Sequence, residues 1–172
     1  RLTLVSAVAL AALLTVGAGV ASAHGGPGVR GASTGALVTQ AAKELDVTRA
    51  KLKSAIVESA VAAINAAAED EDIDADEAAE LKDEAQDNLR VAYHLSKTRT
   101  VASNLGVTTA KLNASFRAAR KTLALARINR AVENGDLTAE EAAELRQELS
   151  QARLPGYKAG GRGFGRHGGH GR

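Results

Sequence analysis

Residues 74–105 read DADEAAELKDEAQDNLRVAYHLSKTRTVASNL, and this stretch decides the fold. It contains neither Gly nor Pro, so nothing in it obliges a helix to stop. Its apolar residues recur mostly three or four positions apart, as one stripe on one helix face: Ala78, Leu81, Ala85, Leu89, Ala92, Leu95, Ala102 and Leu105. The pattern predicts one continuous helix.

An internal duplication extends on both sides of this stretch. LDVTRAKLKSAI at residues 45–56 matches LGVTTAKLNASF at residues 105–116, which is sixty positions later. EDEDIDADEAAEL at residues 69–81 matches ENGDLTAEEAAEL at residues 133–145, which is sixty-four positions later. The four extra residues lie between the two blocks and add about one helical turn, which nearly preserves the helix face. The chain is therefore predicted to contain two similar helical units.

Capping residues indicate where the helices begin and end. Thr48 and Thr108 are predicted N-caps, Thr138 and Glu141 have the spacing of a capping box, and Gly106 fits the position just after a helix. The predicted helices cover residues 34–45, 48–69, 74–105, 108–134 and 138–152. Because the connections are short, sequential helices should be antiparallel. We predict an all-α fold of tandem antiparallel helical hairpins that share a long central helix, with disordered Gly-rich termini.

The N-terminal residues 1–23 have the layout of a secretory signal peptide. A basic start precedes an apolar run from Leu4 to Val16, and small residues lead to a predicted cleavage site between Ala23 and His24. A retained membrane anchor is the alternative, but this run of thirteen residues is short for a span of about 20. We expect an exported protein, secreted or held in the cell envelope, with no membrane span after cleavage.

The rest of the chain divides by composition into three parts. Residues 24–33 are rich in Gly and are predicted to be a flexible leader. Residues 34–152 form the duplicated helical domain. In residues 153–172, Gly and basic residues alternate without any acid, so this part is predicted to be a disordered tail.

The composition argues against an enzyme. The chain has no Cys, Met or Trp and only two Tyr and two Phe, so its core must rest largely on alanine. Six serines fall on predicted helices without a neighbouring His, namely Ser54, Ser59, Ser96, Ser103, Ser115 and Ser150. No Gly-rich phosphate loop follows a strand. A thin alanine core also leaves little room for a pocket. We predict a non-enzymatic protein.

Charge is separated between the two copies. Residues 69–87 contain eleven acids against Lys82 alone, and residues 97–130 contain eight bases and no acid. Two solvated faces are one interpretation; the other is that the basic face docks on an acidic surface of this molecule, of a second copy or of an anionic polymer. The predicted polyanion-binding residues are Arg117, Arg120, Lys121, Arg127, Arg130, Arg162 and Arg166.

Histidine offers the only candidate metal ligands. Cleavage would leave His24 as an N-terminal residue whose free amine and imidazole can chelate Cu²⁺ or Ni²⁺, and His167 and His170 form a pair in the tail that can accept metals such as Zn²⁺. We predict no resident cofactor and only weak metal binding. The tail sequence GGRGFGRHGG resembles arginine–glycine boxes, but an exported protein is not expected to bind nucleic acid.

The motifs LGVTTAKL and GDLTAEEAAELRQEL, behind a signal peptide, resemble a group of uncharacterised exported helical-repeat proteins of high-GC Gram-positive bacteria. NGDLTAEEAAELRQEL is also similar to the SHOCT oligomerisation helix-turn-helix and to small periplasmic stress chaperones, although Glu141 stands where the latter have Gln. These resemblances imply binding or assembly. We predict an exported protein that associates with envelope partners, protein or anionic polymer, or with itself; the alternative is an envelope metal-binding or stress-chaperone-like protein.

Overall fold

A computed structural model describes residues 33–157 of the chain, which form seven α-helices and no strand. The helices are α1 (Thr34–Leu45), α2 (Arg49–Glu69), α3 (Ala75–Asp87), α4 (Leu89–Leu95), α5 (Thr98–Leu105), α6 (Thr109–Glu133) and α7 (Ala139–Gln151). The predicted all-α class is confirmed. The predicted signal peptide, most of the leader and most of the tail lie outside the described residues.

The predicted helix caps are confirmed. Thr48 and Thr108 each accept a hydrogen bond from the backbone N–H three residues later, with N–O distances of 3.1 Å. Thr138 and Glu141 form the reciprocal capping box, and the hydrogen bonds from Thr138 lower the pKa of the Glu141 carboxyl. Gly106 ends α5 at a φ of +70°, a conformation that Gly adopts without strain.

The prediction of one continuous helix over residues 74–105 is wrong. The chain leaves the helix at Asn88, whose side-chain oxygen accepts the backbone N–H of Arg90 at 3.1 Å, and again at Ser96, whose hydroxyl donates to the carbonyl of Tyr93 at 3.0 Å. Short polar side chains offer the backbone these local hydrogen bonds in place of helical ones, so Asn and Ser can end a helix without Gly or Pro. The stretch therefore forms α3, α4 and α5.

A buried serine of α2 supports the second break. Ser59 is 1% exposed, and its hydroxyl accepts the backbone N–H of Lys97 at 2.9 Å. The same hydroxyl donates to the carbonyl of Lys97 at 3.3 Å. Because the backbone groups at the break have partners on α2, the chain can turn there and pack both α4 and α5 on α2.

The two copies of the repeat interlock. The first copy comprises α1, α2 and α3, the second comprises α5, α6 and α7, and α4 joins them. The first helix of each copy packs mainly on the long helix of the other, so that α1 lies on α6 and α5 lies on α2. The predicted arrangement of tandem hairpins is not confirmed, because the first helix of each copy packs on the other copy rather than mainly within its own.

The hydrophobic residues form two separate cores. The larger core draws on every helix except α7, and it includes Leu52, Ile56 and Phe116, each 0% exposed. The smaller one lies between the second half of α6 and α7, around Ile128 and Leu149. Helix α6 has 25 residues and α2 has 21, so the four-residue insertion places α7 about one turn farther out than α3.

The first residues of the predicted disordered tail are packed, so that prediction is wrong for residues 153–157. Leu154 is 7% exposed and joins the smaller core, and Tyr157 is 4% exposed and joins the larger one. We call residues 152–157 the C-terminal segment. The rest of the tail lies outside the described residues.

Tyr157 completes an aromatic cluster with Tyr93 and Phe116. Its ring centroid lies 4.8 Å from that of Tyr93 and 4.7 Å from that of Phe116, with both pairs edge-on. Tyr93 and Phe116 are 5.8 Å apart. The hydroxyl of Tyr157 also hydrogen-bonds the buried hydroxyl of Ser96. Three of the four aromatic residues of the chain therefore meet where the two copies join.

Gly156 in the C-terminal segment leaves no room for a side chain. A Cβ atom there would lie 2.5 Å from Oδ1 and 2.9 Å from Cβ of Asn113 on α6. We expect Gly156→Ala to lower the free energy of unfolding by about 1–3 kcal/mol, as overpacking does elsewhere. Chemical denaturation measures this, and adding Asn113→Ala should recover part of the loss; an unchanged midpoint for Gly156→Ala would contradict the packing of the segment.

Burial raises the pKa of Tyr157 well above its ordinary value. The unfolded chain loses the hydroxyl proton of Tyr157 near pH 10, while the folded protein keeps it. The contribution of the buried hydroxyl to the free energy of unfolding is therefore fully present below pH 10 and is lost as the pH rises toward the folded pKa. We expect the free energy of unfolding to fall above pH 10 by about 1 kcal/mol per pH unit more in the wild type than in Tyr157→Phe. Equal pH slopes for the two proteins would show that Tyr157 is accessible to solvent.

Candidate anion-binding site

A surface groove lies between α6 and the end of α7, where the C-terminal segment passes. It has a volume of about 490 Å³. Its lining combines cations with apolar side chains: Arg117, Ala118, Lys121, Leu149, Ser150, Ala152, Arg153 and Leu154. We call it the basic groove.

Helix geometry and the end of α7 bring the three cations together. Arg117 and Lys121 are four residues apart on α6, which places them on one face, one turn apart. The chain becomes extended at Ala152, with φ −67° and ψ 130°, and so carries the exposed Arg153 to the groove. Side chains from two separate parts of the sequence thus converge on one site.

The floor of the groove is apolar. Leu149 is 1% exposed and Leu154 is 7% exposed, and both belong to the smaller core. The groove is therefore built on packed side chains, and its position depends on how α7 and the C-terminal segment lie against α6. A ligand in the groove would contact charge at the rim and apolar surface beneath.

The charges of the groove are of one sign. Among the described residues, none of those lining it is acidic. Like charges spaced four apart on a helix, as Arg117 and Lys121 are, disfavour the helix by about 0.2–0.5 kcal/mol. An anion between these cations would remove the repulsion, and the guanidinium groups of Arg117 and Arg153 are suited to bidentate contacts with a carboxylate or a phosphate.

Arg120, one of the predicted polyanion-binding residues, is engaged within the molecule. Its Nη1 donates to the carbonyls of Pro155 and Gly156, both at 2.7 Å, and its Nη2 donates to the hydroxyl of Tyr93 at 3.1 Å. The guanidinium therefore fixes the C-terminal segment to α6 and to the aromatic cluster, and it does not line the groove.

The other predicted basic residues are distributed differently. Arg117 and Lys121 line the groove, whereas Arg130 is exposed farther along α6. Arg127 is half-buried; burial lowers its pKa, and the charge of Arg130 lowers it further. The last two members of the predicted set, Arg162 and Arg166, lie outside the described residues.

Sequence reasoning missed Arg153. It follows the last predicted helix and opens a run of Gly and basic residues, a pattern that predicts a disordered tail. The apolar Leu154 directly after it was the available signal, since a buried residue there holds its neighbour at the surface of the smaller core.

The predicted metal ligands, His24, His167 and His170, all lie outside the described residues. Within residues 33–157, no group of three or more side chains is placed to hold a metal ion. The helices in the same range include none that combines the length and the apolar character needed to cross a bilayer.

Comparisons of this chain with protein families, with curated proteins and with solved structures found no match. The resemblance to exported helical-repeat proteins therefore stays a prediction. A functional proposal has to rest on the groove and on the charges around it.

Arg120 should matter for stability and little for anion binding. Arg120→Met keeps much of the aliphatic packing but leaves the carbonyls of Pro155 and Gly156 without their charged donor, so we expect a loss of about 2 kcal/mol or more in the free energy of unfolding. Arg120→Lys should restore little, since an ammonium lacks the planar fork.

Near-ultraviolet circular dichroism provides the readout for these two variants. The chain has no Trp, and both of its tyrosines belong to the aromatic cluster, so the tyrosine signal reports this cluster. We expect the signal to weaken in both variants. Full retention of the signal and of stability in Arg120→Met would show that the guanidinium does not hold the segment.

Proposed function

We propose that this chain is an exported, non-enzymatic binding protein, and that it associates with an anionic partner in the cell envelope through the basic groove. The observation that carries the proposal is the convergence of Arg117, Lys121 and Arg153 around an apolar floor, with no acid in the described lining. Export rests on the signal-peptide pattern of residues 1–23.

A ligand site is favoured here over a solvated face because of how the cations are placed. Exposed charges that serve solubility are usually mixed in sign and spread over a surface. Here α6 and the C-terminal segment contribute cations to one concave place, above the buried side chains of Leu149 and Leu154. A partner bound there would gain both charge-assisted hydrogen bonds and contact with apolar surface.

The chemistry of the groove selects the class of partner. Two guanidinium groups and one ammonium group match carboxylates or phosphates. A volume of about 490 Å³ admits only a few charged groups with their aliphatic linkers, and not a folded domain. The partner is therefore expected to present anions along an extended or helical segment, as an anionic polymer or an acidic protein surface does.

Binding of a labelled poly-L-glutamate, measured by fluorescence anisotropy on the full chain, tests this proposal. We expect Arg117→Ala/Lys121→Ala to weaken binding about tenfold or more, which corresponds to about 1.4 kcal/mol or more. Raising the salt concentration from about 0.05 M to about 0.5 M should also weaken binding by the wild type, because salt screens the contacts between opposite charges.

The matched control is Lys51→Ala/Lys53→Ala, which removes two exposed cations of α2 and so changes the net charge equally. Any contribution of the basic residues after residue 157 is the same in both double variants. We expect the control to bind within about twofold of the wild type. Equal losses in the two double variants would show that binding follows the net charge, and the groove would no longer be the site.

A further inference from the structure

We infer that the anionic partner of the basic groove is helix α3 of a second copy of this chain, so that the protein associates with itself through opposite charges. This inference rests on the proposed function, since it requires the groove to bind anions. It adds the identity of the partner, and it follows from how the two copies of the repeat differ in charge.

Helix α3 carries a continuous acidic surface. Asp76, Glu80, Asp83 and Asp87 are spaced by four, three and four residues, which places them on one helix face, and all four are exposed. The buried residues of the helix, Ala78 and Ala85, lie on the side that packs on the rest of the protein. We call the four exposed acids the acidic stripe.

The acidic stripe and the basic groove belong to parts of the molecule that do not pack together. Helix α3 packs on α2 and α4, whereas α6 packs on α1, α5 and α7. Neither of the two helices that form the groove, α6 and α7, has α3 as a packing partner. A contact between stripe and groove therefore requires two molecules.

The charges that define each surface are only partly repeated in the other copy. Residues 117 and 121 correspond to Val57 and Val61, sixty positions earlier, so the groove cations of α6 have apolar counterparts in α2. Conversely, Asp83 and Asp87 correspond to residues 147 and 151, sixty-four positions later, which are both Gln. The second copy thus carries cations beside a helix with fewer acids, while the first copy carries acids without those cations.

The spacing of the charges suits a helix lying in the groove. Arg117 and Lys121 are four residues apart, as are Asp83 and Asp87, so paired contacts can form one turn apart along both helices. Arg153 extends the positive surface from the other side of the groove. Glutamate and aspartate side chains on a helix are carboxylates on aliphatic stems, and the apolar floor of the groove can accommodate such stems.

Sedimentation of the full chain over a range of concentrations tests the inference. At about 0.02 M salt we expect the weight-average mass to rise well above that of the monomer with increasing concentration, and at about 0.5 M salt to return to it, because screening weakens contacts between exposed charges. A monomer at all concentrations in low salt would overturn the proposal. A mass that rises equally at both salt concentrations would also overturn it, since that association would not depend on charge.

A charge exchange between the two surfaces identifies the contact. Arg117→Glu/Lys121→Glu should be monomeric, and Glu80→Lys/Asp83→Lys/Asp87→Lys should be monomeric too, because each variant has stripe and groove of the same sign. An equimolar mixture of the two should associate again, because each surface then meets its opposite. All of these positions are exposed, so the far-ultraviolet circular dichroism of both variants should match that of the wild type. A mixture that stays monomeric would overturn the assignment of the contact.

Lys51→Glu/Lys53→Glu is the matched control for Arg117→Glu/Lys121→Glu, since it makes the same change in net charge on exposed residues of α2. It should associate like the wild type, and loss of association in this control would assign the effect to net charge. The poly-L-glutamate measurement separates the two proposals. If the groove binds the polymer but the chain does not self-associate, the inference fails and the proposed function stands; if Arg117→Ala/Lys121→Ala also leaves polymer binding unchanged, both fail.

Discussion

The packing of Tyr157 against Tyr93 and Phe116 is the contact on which the rest of this structure depends. It ties the C-terminal segment to the place where the two repeat copies join, and the guanidinium of Arg120 donates to the carbonyls of Pro155 and Gly156 just before it. An aromatic side chain buries far more apolar area than alanine, so in a core where alanine is the most frequent residue one such cluster contributes disproportionately. The same contact sets the path of the C-terminal segment and hence the position of the basic groove.

The alanine content explains why the copies interlock. Small side chains allow helices to approach closely but bury little area at any one crossing, so stability has to come from many crossings. Crossed packing, with α1 on α6 and α5 on α2, adds crossings between the two copies to those within each copy. Buried serines help where the chain turns between α4 and α5, because Ser59 bonds the backbone of Lys97 and Ser96 donates to the carbonyl of Tyr93 in the last turn of α4.

The two copies of the repeat differ in the charge of their exposed residues. The capping threonines and several buried positions recur in both copies, so both form a similar series of helices. The exposed positions differ, and they give one copy an acidic helix and the other a basic groove. Surface charge contributes little to the fold, which leaves it free to select partners. The proposed association role rests on this division between a shared interior and opposed exteriors.

The sequence by itself determined the helical class, most helix ends and the separation of charge. These properties are local: a threonine caps the residues next to it, a glycine ends the helix before it, and a run of acids is visible in any window. It could not determine the break at Ser96, because the backbone groups that leave the helix there find their hydrogen-bond partner on α2, which is distant in the sequence. Nor could it determine the groove, because Arg117 and Lys121 on α6 meet Arg153 only after Leu154 and Tyr157 are buried. Tertiary packing decided both, since it alone supplies partners that are distant in the sequence.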